Sequence, residues 1–256
     1  MSPLREKRMN KIGIIGGSGL DDPALFEQAS DISFETPWGT PSSPLRQGNI
    51  SGVPVVFMAR HGREHTIPPT RVNYRANIWA LKEVGCTHVL ASTAVGSLID
   101  EIRPGDLVLP DQFIDFTRVR PLTFFDSFEP GDPKHVAMAE PFDGSMRKIM
   151  AKELDRLGYR YHRRGTVITI EGPRFSTRAE SRMYRIWGAH IVNMSIATEA
   201  VMANEMRLPY AAVAMSTDYD SWKEEESVTW EAVAEVGRRN AAKVLELFRH
   251  VIPKLK

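Results

Sequence analysis

The sequence predicts one α/β domain, a central mixed and largely parallel sheet held between two layers of helices. Three observations point there. Short apolar runs rich in β-branched residues recur along the 256 residues. Amphipathic stretches of helical period separate many of them, the pattern of strands joined by crossover helices. No composition shift, internal repeat or low-complexity segment divides the chain. Residues 11–256 therefore read as one domain behind an N-terminal extension, 1–10.

The elements follow in order. Lys11-Ile-Gly-Ile-Ile15 reads as a first buried strand. Ile32 to Glu35 and Val53 to Met58 read as further strands, with turns between Pro37 and Pro44. Val72 to Val84 carries Ala76, Trp79 and Ala80 at helical spacing and stops at Gly85, a C′ position. Thr87 to Thr93 and Asp106 to Phe113 are apolar strands. Ser145 to Leu157 is an amphipathic helix stopped at Gly158. Gly165 to Ile170 is a strand, Thr177 to Trp187 a helix, and His190 to Met194 a strand. Thr198 to Arg207 is a helix, Tyr210 to Met215 a strand, and Val228 to His250 a long final helix. Pro121 to Pro141 has no regular pattern and is long for a connection, as binding loops often are.

Composition excludes several classes. Lys plus Arg (33) balances Asp plus Glu (32), so nothing points to a nucleic-acid or polybasic membrane surface. Cys86 is the only cysteine, which rules out an intrachain disulfide and a thiolate metal cluster. Met1 to Asn10 has basic residues without a following apolar stretch, and no apolar run reaches membrane-spanning length. A cytoplasmic setting is the expectation.

The most informative stretch is Ser216-Thr-Asp-Tyr-Asp-Ser-Trp222, after the apolar strand Tyr210 to Met215. Carboxylates there must be paired, solvated or protonated. The crevice outside the carboxyl ends of parallel strands is where α/β proteins bind ligands. Asp218 and Asp220 suit a polar ring held by two edges, one acid donating a proton and the other accepting one, as an aminopurine leaving group requires.

Other strand ends carry anion-binding chemistry. Gly16-Gly-Ser-Gly19 lets the backbone approach an anion and adds the Ser18 hydroxyl, and it fits a ligand-free turn as well. It fails the dinucleotide fingerprint, because Asp22 stands where the third glycine belongs, which counts against an NAD-dependent oxidoreductase. Arg60 suits phosphate and His61 offers a second donor, although such clusters are often plain surface loops. His61 and His65 have the spacing of a helical zinc pair, but Gly62 and Pro68-Pro69 argue against a helix and so against a metal. Thr93 and Ala94 follow another strand, as do Met194 and Ser195. Phe175 is placed to stack on a base or to fill core. Glu199 has an ordinary explanation as an acid in the first turn of a helix.

Taken together, Gly13-Ile-Ile-Gly-Gly-Ser-Gly-Leu20, Ala59-Arg-His-Gly-Arg63, Asn73-Tyr-Arg-Ala-Asn-Ile-Trp79, Ile170-Glu-Gly-Pro-Arg-Phe-Ser176 and Ser216 to Trp222 carry a specific pattern. From about Lys11 to the final helix the chain resembles the methylthioadenosine phosphorylase branch of the trimeric purine nucleoside phosphorylase family. The resemblance implies phosphorolysis of S-methyl-5′-thioadenosine to adenine and a methylthioribose 1-phosphate. The alternative inside the family is broader or 6-oxopurine specificity. It implies that Ser18, Arg60, His61, Thr93, Ala94 and Ser195 hold phosphate. Met194, Phe175, Ser176, Asp218, Tyr219 and Asp220 would line the nucleoside, with Asp218 and Asp220 catalytic. His135 would come from a neighbouring subunit of a trimer or dimer of trimers. Ser176 and Trp230 are the specificity candidates, Trp230 standing where a small aliphatic residue often lines the 5′ side. No cofactor is implied beyond phosphate as co-substrate.

Overall fold

The computed structural model describes residues 10–16, 26–224 and 229–255. Its strands are β1 (Ile12–Gly16), β2 (Glu27–Ile32), β3 (Leu45–Ile50), β4 (Val53–Ala59), β5 (His88–Ser97), β6 (Leu107–Val108), β7 (Gln112–Phe116), β8 (Tyr161–His162), β9 (Thr166–Ile170), β10 (Ile191–Asn193) and β11 (Tyr210–Asp218). The helices are α1 (Tyr74–Glu83), α2 (Gly144–Leu157), α3 (Arg178–Ile186), α4 (Ile196–Glu205) and α5 (Trp230–Val251).

One mixed sheet runs β2-β3-β4-β1-β5-β10-β9-β7, with β11 paired to β5 and β6, and β8 to β6. β5 is the strand on which the sheet turns. It pairs in parallel with β1 and β11, then antiparallel with β10 through Gly96 and Ser97. Side-chain alternation along β11 explains the three layers. Ala212 and Ala214 join a core with α1 and α4 residues such as Ile78, Leu81, Ala200 and Met202. Ala211, Val213 and Met215 face the opposite core, with Met150 and Leu154 of α2 and Val244 and Phe248 of α5. Both faces of the central strands are therefore buried, as parallel strands require.

Local signals set the helix ends. The Asn73 side chain accepts from Ala76 N and caps α1. Asp143 caps α2, and Gly158 ends it in the left-handed conformation at φ 71°. Thr177 and Glu180 form a capping box on α3.

Three expected elements differ, and one strand was not expected. Only Ile32 of the expected strand 32–35 is in a strand. The real edge strand is β2, which is polar and largely exposed and is recruited by antiparallel pairing with β3. β3 carries apolar residues only at Leu45 and Ile50, so it gave no periodic signal. The expected strand 106–113 is two strands. Pro110 lies between β6, which joins β11 and β8, and β7, which joins β9. α4 begins at Ile196 rather than Thr198. Residues 117–143 hold no named helix or strand, as their sequence suggested. No helix among the described residues is long and apolar enough to cross a membrane.

Candidate active site

The ends of β4, β9, β10 and β11, the middle of β5 and one face of α5 converge on a cleft of about 850 Å³. Arg60, His61, Thr93, Ala94, Met194, Ser195, Phe175, Ser176, Asp218 and Asp220 all line it. Thr93 and Ala94 lie within β5 rather than past its end, because β10 and β11 pair with the strand as far as Gly96 and Ser97. Tyr219 does not line the cleft. It is buried edge-on against Trp222 under the Lys223 ammonium, which corrects its expected place on the nucleoside. His135 also lies outside this chain's own cleft, with its ring against Phe128. Ser18 and the side chain of Trp230 fall outside the described residues.

A bulge aims the acid pair. Ser216 pairs with Val95 and Asp218 with Gly96, so β11 carries an extra residue there. Asp218 Oδ2 accepts from Asp220 N at 2.9 Å, and Oδ1 lies 2.7 Å from Thr217 Oγ1. The Thr217 hydroxyl is also 3.1 Å from Val95 O. Its single proton serves one acceptor at a time. It donates to an ionised Asp218, or it donates to Val95 and accepts from a protonated one. Burial pushes the Asp218 carboxyl up to about 6. Burial raises Asp220 as well, against the pull of the nearby Ser181 and Ser176 hydroxyls. Asp220 Oδ2 and Ser176 Oγ are buried without a hydrogen-bond partner among the described residues. Gly96 sits beneath the pair: a Cβ there would be 3.0 Å from Asp218 Oδ2 and 3.1 Å from Asp220 Cβ.

The other end of the cleft is cationic by construction and neutral by pairing. Arg60 is 2 % exposed. Its Nε and Nη2 donate to Glu199 Oε1 and Oε2 at 2.5 and 3.0 Å, and Nη1 donates to Ser92 O at 2.9 Å. One N–H on each terminal nitrogen is left over. Burial works against the Arg60 charge, but Glu199 outweighs it and the net pKa rises. Tyr210 donates to Glu199 Oε2 at 2.7 Å, completing a buried network. His61 is held down to about 4, first by burial and then by Arg60. Its Nδ1 lies 2.8 Å from Ile67 O, so the neutral ring donates there and turns an acceptor Nε2 outward. The expected second donor at His61 is thus an acceptor. Asn193 donates to Thr93 Oγ1 at 3.2 Å and accepts from Thr169 at 2.7 Å, and the Thr93 hydroxyl donates to Ala94 O at 3.1 Å. Ser195 is the N-cap of α4, yet its side chain makes no capping bond and its hydroxyl stays available.

Sequence reasoning passed over Glu199, Asn193 and Thr217. Glu199 reaches Arg60 across 139 residues, a tie that no local pattern announces. Among the described residues, no group of three or more His, Cys, Asp or Glu is placed to hold a metal ion.

A mixed sheet with Arg60 and small hydroxyl side chains at one end of a strand-tip cleft and paired acids at the other suits an anion beside a polar ring. The chain belongs to the phosphorylase superfamily, whose family model matches residues 11–253. S-methyl-5′-thioadenosine phosphorylase of Danio rerio is 52 % identical over 249 residues, covering 96 % of this chain and 89 % of the relative. The enzyme of the same name from Hyperthermus butylicus is 49 % identical over 245 residues, covering 95 % and 88 %. Methylthioadenosine phosphorylase from Schistosoma mansoni, solved with adenine, superposes with TM-score 0.91 at 41 % identity, covering 96 % of this chain and 92 % of that one. A variant of adenosine/methylthioadenosine phosphorylase from the same organism, solved with methylthioadenosine, gives TM-score 0.90 at 39 % identity, covering 96 % and 91 %.

Proposed function

We propose that this chain cleaves S-methyl-5′-thioadenosine with inorganic phosphate, releasing adenine and 5-methylthioribose 1-phosphate. The observation that carries the reading is one cleft holding Asp218, with its raised pKa, together with Arg60, Thr93 and Ser195. Relatives near 50 % identity that bear the methylthioadenosine phosphorylase name support it.

In this mechanism phosphate lies beneath the ribose. The two spare Arg60 N–H groups and the Ser195 hydroxyl donate to it, the Thr93 hydroxyl turns from Ala94 O to join them, Ala94 lies beside it, and Ser18 adds a donor from the glycine turn. The outward His61 nitrogen accepts from a hydroxyl of phosphate or sugar. A phosphate oxygen forms the new bond to C1′ as the bond from C1′ to the purine nitrogen breaks. Positive charge grows on the ribose above the anion, and the electron pair leaves with the purine. Asp218 gives its proton to N7 of that purine, and purine binding deepens the desolvation and so favours the protonated acid. The unpartnered Asp220 Oδ2 accepts from the exocyclic amine of adenine. A 6-oxo group there would present an acceptor to an acceptor. Phe175 covers the base, Ser176 lies at its edge, and Met194 packs on the sugar.

The active form on this reading is a homotrimer or dimer of trimers in the cytoplasm, with His135 closing the 5′ end of a neighbour's cleft. Exposed Val119, Phe128, Val136, Ile186 and Trp187 support an association surface. No metal or organic cofactor takes part.

The test incubates the protein with methylthioadenosine, methylthioinosine, adenosine and inosine, with and without phosphate, and measures free base. Adenine from methylthioadenosine, only when phosphate is present, is expected. Release without phosphate would make the protein a hydrolase. Hypoxanthine released faster than adenine would overturn the role of the acid pair.

A further inference from the structure

Arg120 lies in the irregular segment after β7, and it does not line the cleft. Its side chain is nevertheless only 1 % exposed. Nε donates to Glu171 Oε1 at 3.0 Å and Nη2 to the Glu171 carbonyl at 2.8 Å. Nη1 donates to the Met194 carbonyl at 2.7 Å and to the Tyr74 hydroxyl at 3.0 Å. The guanidinium also sits 5.2 Å from the centre of the Tyr74 ring.

The two carbonyls matter because each stands at the head of a cleft-lining turn. The Glu171 carbonyl belongs to the peptide that opens the turn to Pro173, Phe175 and Ser176, the base side of the cleft. The Met194 carbonyl belongs to the peptide that leads into Ser195, the anion side. The turns already touch: a Cβ on Gly172 would collide with Met194 Sδ. Glu171 is anchored in turn, since Oε2 accepts from Arg118 N and Val119 N at 2.5 and 3.1 Å. A buried guanidinium with this many partners at separate points is a rigid bracket, because moving either turn breaks charge-assisted bonds to a side chain only 1 % exposed.

We infer that Arg120 is a positioning residue that sets the base-side turn and the anion-side turn at one fixed spacing. This rests on the proposed phosphorolysis. Its prediction is particular: loss of Arg120 degrades catalysis with both substrates although no group touching either is altered. A misplacement near 1 Å in such a site costs about a hundred-fold.

The test compares the parent with Arg120→Met, which keeps an unbranched apolar stem and removes every donor, and with Arg120→Lys. Tm is measured first, and steady-state constants are then taken well below the Tm of every variant. Arg120→Met is expected to lower kcat/KM for methylthioadenosine about ten- to hundred-fold and to raise the KM for phosphate in parallel. Arg120→Lys, able to hold the Met194 carbonyl, is expected to recover part of that loss. A folded Arg120→Met with a lowered Tm but kinetic constants within about two-fold of the parent would reduce Arg120 to a purely structural role. If Arg120→Met does not fold, Glu171→Gln serves in its place. A several-fold loss in the same direction supports the bracket, and unchanged constants overturn it. A parent that releases no adenine refutes the functional reading itself, whereas an active parent with unaffected variants refutes only the role of Arg120.

Discussion

Replacing Asp218 with asparagine should make the protein more stable and less active. The Asp218 carboxyl titrates at about 6 in the fold against an ordinary 3.8, and burial is the main cause. A group whose pKa is raised by folding favours the native state at low pH and opposes it above the folded value. Above pH 6 the ionised carboxylate therefore costs up to about 3 kcal/mol, the difference between the two values at about 1.4 kcal/mol each. The penalty shrinks as pH falls from 6 and vanishes below about 3.8. An asparagine at this position satisfies its neighbours. Its carbonyl accepts from Asp220 N, its amide donates to Thr217 Oγ1, and the Thr217 hydroxyl donates to Val95 O. Denaturant unfolding at equal protein concentration should show Asp218→Asn ahead of the parent at pH 8 by up to about 3 kcal/mol, with the curves meeting near pH 4. For a chain of this length that gain corresponds to a Tm increase of roughly 6–12 °C at most. Adenine release should fall, while inosine cleavage gains relative to it, because an amide donates to an oxo purine without needing a proton. A variant less stable than the parent at pH 8, or a stability difference independent of pH, would refute the reasoning.

Two further perturbations probe the opposite end and the floor of the cleft. Arg60→Met should raise the KM for phosphate about ten-fold or more. It should also destabilise the fold by about 3–5 kcal/mol, because the buried Glu199 loses its ion-pair partner. Adding Glu199→Leu should restore much of the stability but none of the phosphate affinity; recovery of both would remove Arg60 from the anion site. Gly96→Ala places a methyl 3.0 Å from Asp218 Oδ2 and should slow adenine release while costing about 1 kcal/mol of stability. Unimpaired release by a folded Gly96→Ala protein would mean that the acids need not hold the positions described.

The sheet's central strands were legible because their apolar runs are buried on both faces, as at Ile12 to Ile15 and Tyr210 to Met215. The edge was not. β2 owes its form to backbone pairing with β3, and β3 to pairing with β2 and β4, rather than to any side-chain period. The site divides in the same way. Arg60, Thr93, Ser195 and the acid pair stand beside apolar strands, so their placement follows from topology. His61 was expected as a donor, but burial and Arg60 hold its ring neutral and Ile67 O takes the one proton on Nδ1, contacts invisible in the sequence. Tyr219 alternates away from the cleft beyond the β11 bulge, and no residue type signals that bulge. Glu199 fits a helix-dipole explanation perfectly well and acts elsewhere, since its carboxylate turns to Arg60.

A crystal structure with adenine and phosphate bound would test the central claim most directly. The account predicts purine N7 within hydrogen-bond distance of Asp218, the exocyclic amine on Asp220 Oδ2, and the anion among Arg60, Thr93 and Ser195. Adenine seated away from Asp218, or phosphate bound outside that trio, would contradict it.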